Sequence, residues 1–210
     1  MSDNRQGWFQ DWFEGWRLFA LLALTLVALS LWIAGMRQFE VDGVRMVIRF
    51  TARTSLLFFC LAFSAAALAR LWPNPWTRWQ RRNRRYLGVS LATSHAIHAV
   101  AIACFAVMDP AAYAAATSIA SYIFGGIGYA FIIAMTATSF DRTAAAIGAR
   151  CWRLLHLTGG YYLLLQFMIS FGKRIPDMSL YALFLIPLLA VLALRMIAMA
   201  PRTQGAVRAG

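Results

Sequence analysis

Negative charge is what this sequence has least of. Only 8 Asp and Glu stand against 20 Lys and Arg in 210 residues, and charged residues make up just 13% of the chain. Soluble domains carry about a quarter charged residues. A composition that is 61% hydrophobic therefore reads as an integral membrane protein. In a soluble chain a net charge of +12 would point to nucleic acid. Here the arginines gather at the ends of apolar segments, where orientation in the bilayer and anionic lipid account for them. Cysteine is also scarce. Cys60, Cys104 and Cys151 lie far apart with no CxxC pair, so they read as buried thiols, with no disulfide framework and no zinc site. There is no Ser/His/Asp arrangement and no zincin motif. Gly125, Gly126 and Gly128 do not follow a strand, so they are no nucleotide fingerprint. Paired intramembrane carboxylates and an internal repeat are missing as well, which argues against a transporter.

What is present is a series of six apolar segments, each long enough to cross a bilayer in about 20 residues. They run over 17–36, 48–71, 86–107, 115–137, 152–172 and 179–199. The first is too long for a signal-peptide core and has no persuasive cleavage site. Residues 1–16 carry Trp8, Phe9, Trp12, Phe13 and Trp16. Their i, i+4 spacing places indoles on one side of a helix, which predicts a short interfacial segment. The expected fold is all-α: a six-helix transmembrane bundle over 17–200, an N-terminal interfacial helix, and a cytoplasmic tail over 201–210. With both termini on one side, that side holds 14 of the basic residues and the other holds 6. The positive-inside rule then puts both termini in the cytoplasm of a bacterial inner membrane.

Histidine is the rarest informative residue. His95 and His98 lie within the third span and His156 near the start of the fifth; no loop holds one. An imidazole in hydrocarbon is costly, so it faces the bundle interior and has a task. Neutral imidazoles from two helices can hold haem iron between them. At about 1.5 Å per residue, His98 and His156 differ in expected depth by roughly 10 Å and His95 and His156 by about 6 Å. Depth thus favours His95 opposite His156. His95 and His98 are i, i+3 and share a face. Arg45, Arg49 and Arg53 are spaced i, i+4, i+8 on span two. Arg45 reads as snorkelling to the headgroups, and Arg49 and Arg53 as partners for a buried anion such as haem propionate. Met168 is a candidate axial ligand or a core residue. Asp141 reads as an ion-pair partner for nearby arginines.

Two stretches carry a family resemblance. Arg85-Tyr86-Leu87-Gly88, with His98 ten residues after the glycine, resembles the third span of ferric-reductase-like membrane proteins. Thr138-Ser139-Phe140-Asp141, then Gly148, then Trp152-Arg153-Leu154-Leu155-His156 resembles the fourth-to-fifth connection of one branch of that family. That branch comprises the haem-binding membrane subunits of bacterial periplasmic methionine-sulfoxide reductase systems. Ala96-Ile97-His98 is similar to a segment of the NADPH oxidases, which share the membrane fold. The resemblance spans about residues 40–172. It implies six helices, b-type haem and electrons passed across the membrane, with His98 and His156 as axial ligands to iron. It also exposes two departures. The family's partner for His98 lies about four turns after the histidine matching His156, and here that region reads Gln166-Phe167-Met168-Ile169. The family's partner for His156 lies about four turns before His98, where this chain has Arg84.

The reading is a haem b electron-transfer protein of the ferric-reductase-like class. It takes electrons from a quinol, a membrane-bound flavin, or a cytoplasmic flavoprotein docked on the basic 78–85 loop. It passes them to an outer acceptor or a periplasmic partner reductase. The alternative is a haem-less family member that serves as a membrane scaffold or partner subunit.

Overall fold

The computed structural model describes residues 13–200. The expected interfacial helix and the tail over 201–210 lie almost wholly outside them. Helix α1 spans Gly15–Gly35, α2 Val41–Leu71, α3 Pro75–Arg82, α4 Arg84–Met108, α5 Pro110–Ala116, α6 Ile119–Ala137 and α7 Asp141–Gly172. A 3-10 turn over Ser179–Phe184 leads into α8, Leu185–Met199. Six of these segments are long and apolar enough to cross a membrane: α1, α2, α4, α6, α7, and the 3-10 turn joined to α8. There is no strand among the described residues. The fold is an all-α six-helix bundle of a multi-pass membrane protein.

Local chemistry explains where the elements depart from the apolar runs. The expected basic loop at 78–85 contains a helix. Asn74 accepts from the backbone N–H of Thr77 while Thr77 Oγ1 accepts from that of Asn74, a reciprocal capping box with Pro75 at the first position. The expected fourth span is cut at its start. Asp109 caps the short α5, with Pro110 behind it, and Ser118 caps α6 afresh. The expected fifth span starts about three turns earlier, and Gly148 breaks that extension at φ 77°, ψ 157°. That is a left-handed φ that glycine adopts without a Cβ clash.

Helix α2 is the hub. It packs along α4, and against α1, α3 and α8. The main apolar cluster gathers Leu56, Phe59, Leu87, Leu91, Leu163, Phe167 and Leu188 from four helices. Two glycines of α7 set its approach to its neighbours. A Cβ on Gly159 would sit 2.5 Å from Met135 Sδ on α6, and one on Gly160 2.5 Å from Phe63 Cε2 on α2. Adjacent positions thus face two different helices, the close-packing use of small residues in membranes. Gly125 and Gly126 face open space. Cys104 and Cys151, expected to be buried, are exposed; Cys60 is partly buried. With no aqueous surface along a span, the outer face of the bundle has no reason to exclude a thiol.

The end of the bundle that carries α3 is closed by polar and aromatic contacts. The Gly15 N–H donates to Oδ1 of the buried Asn83 at 2.9 Å, and Trp79 Nε1–H donates to the Phe13 carbonyl at 2.7 Å. Trp16 stacks on Phe140 and meets Tyr86 edge-on. Asp141 pairs with Arg85, as the sequence suggests.

Candidate functional site

The seam between α2 and α4 holds the most concentrated polar chemistry within the spans. Thr51, Ser55 and Ser94 are all at 0% exposure in it. Thr51 and Ser55 are one helical turn apart on α2, and Ser94 precedes His95 on α4. Unpaired hydroxyls in hydrocarbon would be costly, so they form a chain. Ser55 Oγ donates to Ser94 Oγ at 3.0 Å, and Ser94 Oγ donates to the Thr51 carbonyl at 3.0 Å.

Both histidines of α4 join this chain through the same ring atom. His98 Nδ1 lies 3.1 Å from the Ile48 carbonyl and 2.9 Å from Thr51 Oγ1. A carbonyl only accepts, so Nδ1 carries the proton. His95 Nδ1 lies 2.9 Å from Ser55 Oγ, whose own proton goes to Ser94, so His95 Nδ1–H is also the donor. These tautomers follow from the hydrogen-bond network. Each ring therefore keeps an unprotonated Nε2. An Nδ1–H fixed to a carbonyl or hydroxyl while Nε2 offers a lone pair is the arrangement of a metal-ligating histidine. The two rings lie 5.4 Å apart at an interplanar angle of 31°. On their other side, Tyr129 of α6 and Phe167 of α7 pack on His95 at 5.2 and 6.0 Å. The Tyr129 hydroxyl donates to the His95 carbonyl.

His156 is elsewhere. It lies eleven residues before Phe167 on α7, roughly 16 Å of helix at the standard rise, toward the α3 end. It stacks on Trp152 at 4.3 Å, and its Nε2 is 3.2 Å from Thr138 Oγ1. The Thr138 hydroxyl donates to the Ala134 carbonyl at 2.8 Å, so His156 Nε2–H is the donor here. Trp152 Nε1–H donates to the Thr138 carbonyl, and Arg84 lies over the Trp152 ring at 5.9 Å. The structure brings His95 and His98 together and leaves His156 at another level beside Arg84. The expected depth match between His95 and His156 fails because the approach of α7 to α2 sets Phe167 opposite His95. Boundary arithmetic cannot see that offset.

The other proposed site residues are not gathered here. At about 100° per residue, Arg45, Arg49 and Arg53 lie well round α2 from the Ile48, Thr51 and Ser55 side that meets the histidines. All three are exposed. Arg45 lies over Phe105 at 5.6 Å. Arg53 reaches Phe184 at 5.5 Å and Tyr181 at 5.9 Å, lining a cavity of about 380 Å³ with Met178, Leu180 and Leu183. Arg49 has no partner among the described residues. Met168 packs against the main apolar cluster. The sequence reading missed Thr51, Ser55 and Ser94. Their signal was hydroxyls at helical spacing inside otherwise apolar spans.

On donor chemistry the residues fit haem in part. One wall supplies two imidazoles with free Nε2. Across from His95, α7 presents Phe167, and its neighbours over residues 166–171 include no imidazole. Ligation from one side fits; a histidine on each side does not. Comparison with protein-family models, with curated proteins and with solved structures finds no match.

Proposed function

We propose that this protein is a haem b-binding electron-transfer protein of the membrane. The supporting observation is the pair of α4 imidazoles with Nδ1 tied to α2 and Nε2 free. His98, or His95 in its place, would hold the iron through Nε2 from the α4 wall, and the resemblance of Arg85–His98 and Thr138–His156 to ferric-reductase-like proteins points the same way. Haem b, when bound, supplies a one-electron carrier inside the bilayer. The chain's own work is positioning. The Ile48 carbonyl and the Thr51 and Ser55 hydroxyls hold the rings in one tautomer and orientation, which also raises the basicity of Nε2. Phe167, Tyr129 and the apolar cluster exclude water from the rings. The donor in this reading is a quinol or a flavin, and the acceptor an outer substrate or a partner reductase. The setting is the inner membrane with both termini cytoplasmic.

The test is an absorbance spectrum of the detergent-purified protein, oxidised and then dithionite-reduced, with haem quantified per chain. A Soret band that shifts on reduction is expected from wild type and from His156→Ala. Equal haem in wild type and in the double variant His95→Ala/His98→Ala would sink the proposal.

A second reading is favoured by one observation, the packing of Tyr129 and Phe167 directly on His95. In it the imidazoles only bridge α2 and α4, and the chain is a haem-less membrane subunit. That reading requires a featureless visible spectrum even after haem is added back.

A further inference from the structure

The sequence places five arginines between Arg78 and Arg85. The fold sorts them. Arg85 pairs with Asp141, and Arg84 turns to Trp152. The remaining three, Arg78, Arg81 and Arg82, line one cavity of about 330 Å³ on α3.

Helix α3 is a fixed support. Its buried side consists of Thr77 and Gln80, each 8% exposed. Gln80 Nε2–H donates to the Leu61 carbonyl at 2.7 Å and to Ser64 Oγ at 3.1 Å, both on α2. Thr77 is held in the capping box. The guanidiniums thus project from a helix nailed to the bundle.

Charge balance points to an anion. Arg82 is neutralised by Glu14 at 2.6 Å. Arg78 and Arg81 have no anionic partner among the described residues. Two positive charges therefore share one cavity uncompensated.

Depth says where the anion comes from. Two indoles at the start of this connection face outward: Trp76 is 74% exposed and Trp72 56%. Tryptophan concentrates at the headgroup level of a bilayer. Lipid phosphates lie at that level, and basic pockets at helix ends are where acidic headgroups bind. Guanidinium forks match phosphate oxygens in pairs.

We propose that Arg78 and Arg81, with Arg82 alongside, form a binding site for an anionic phospholipid headgroup carrying two phosphodiesters, of the cardiolipin class. The two uncompensated guanidiniums match its two charges, and the exposed Trp72 and Trp76 hold the connection at headgroup level. The site stands independently of any cofactor on α4.

Native mass spectrometry of the full chain, released from detergent after titration with cardiolipin, tests this. One retained cardiolipin per chain is expected, with little retention of phosphatidylcholine. Arg78→Gln/Arg81→Gln is expected to weaken retention at least tenfold, each single variant about threefold, and Arg78→Lys/Arg81→Lys to keep most of it. The single and lysine variants alter exposed side chains, so they report even if the double glutamine variant fails to fold. Unchanged retention in the glutamine variants would overturn the proposal. So would equal retention of phosphatidylcholine. Displacement of cardiolipin by millimolar inorganic phosphate would make this a free-phosphate site and overturn the lipid assignment.

Discussion

The imidazoles on α4 and the imidazole on α7 use opposite nitrogens. His95 and His98 give Nδ1–H to α2 and keep Nε2 free. His156 gives Nε2–H to Thr138 and keeps Nδ1. In histidine Nε2 is the nitrogen farther from the backbone, so a planar cofactor reaches it with less crowding from the helix. Three histidines that look equivalent in a sequence therefore divide into two kinds. The pair is oriented by a partner helix and presents the accessible lone pair. The single one spends that atom on the turn between α6 and α7, with Trp152 stacked behind it. The lesson is that the hydrogen-bond partner of the other nitrogen decides which intramembrane histidine is available for ligation.

The strongest way to break this comparison is by haem content. On the proposed function, His95→Ala/His98→Ala lowers haem per chain at least tenfold, whereas His156→Ala retains more than half. A reversed ranking, with His156→Ala the colourless variant, would show that the Thr138 contact gives way to ligation and that the division is false. Pyridine haemochrome analysis of the three purified proteins reads it directly.

How closely α7 packs on α2 is set at Gly160. A methyl at that position meets Phe63, so Gly160→Ala is expected to cost about 2 kcal/mol, in the usual range for overpacking. Gly126, with open space around it, is the control; Gly126→Ala is expected to be neutral or slightly stabilising through helix propensity. Thermal loss of helicity in detergent distinguishes them, and equal midpoints would mean that α7 does not pack as described.

This also shows what could be read from the sequence. The six spans follow from apolar length, because the bilayer thickness sets that length in advance. Helix α3 was legible too, in Asn74-Pro75 followed by Thr77, but an argument from apolar runs passes over an eight-residue polar helix. The burial of Thr51 beside His98 was only half legible. Hydroxyls at i and i+4 predict a polar stripe on α2, yet not that α4 is the helix it meets. The level of His156 was not legible at all. It depends on the glycine contacts of α7, a tertiary property with no local pattern. The outward direction of the Arg45, Arg49 and Arg53 stripe could have been found. Ile48, Thr51 and Ser55 mark the other face of the same helix, and both faces cannot point to one site.

Ser55→Ala sharpens the comparison from the α2 side. It leaves the His95 Nδ1–H without its acceptor and breaks the chain to the Thr51 carbonyl. A buried donor stripped of its partner costs about 1 to 3 kcal/mol in soluble proteins, but polar contacts inside membranes average about 0.6 kcal/mol. An effect of about 1 kcal/mol on thermal stability is expected. His95 is also expected to become the less discriminating imidazole, free to turn. Nitrogen-15 chemical shifts of the labelled ring report this as a mixture of tautomers where wild type shows one. A single unchanged tautomer would mean that Ser55 does not orient the ring.

The smallest expected effect belongs to the α7 side. Thr138→Val removes the acceptor of His156 Nε2–H but keeps the side-chain shape. His156 is only partly buried and Trp152 continues to stack on it, so the loss is expected to be about 0.5 kcal/mol. Its value lies in what it does to the tautomer. With Thr138 gone, Nothing on α6 selects Nε2–H, and His156 comes to resemble the α4 pair in having that nitrogen uncommitted. If the hydrogen bond alone keeps His156 from ligation, Thr138→Val should bind added haem where His95→Ala/His98→Ala on a Thr138 background does not. If the level in the bundle matters more, because Arg84 rather than an imidazole stands across from it, Thr138→Val on that double-alanine background stays colourless. The second outcome is the expected one, since freeing a lone pair leaves the Arg84 charge in place.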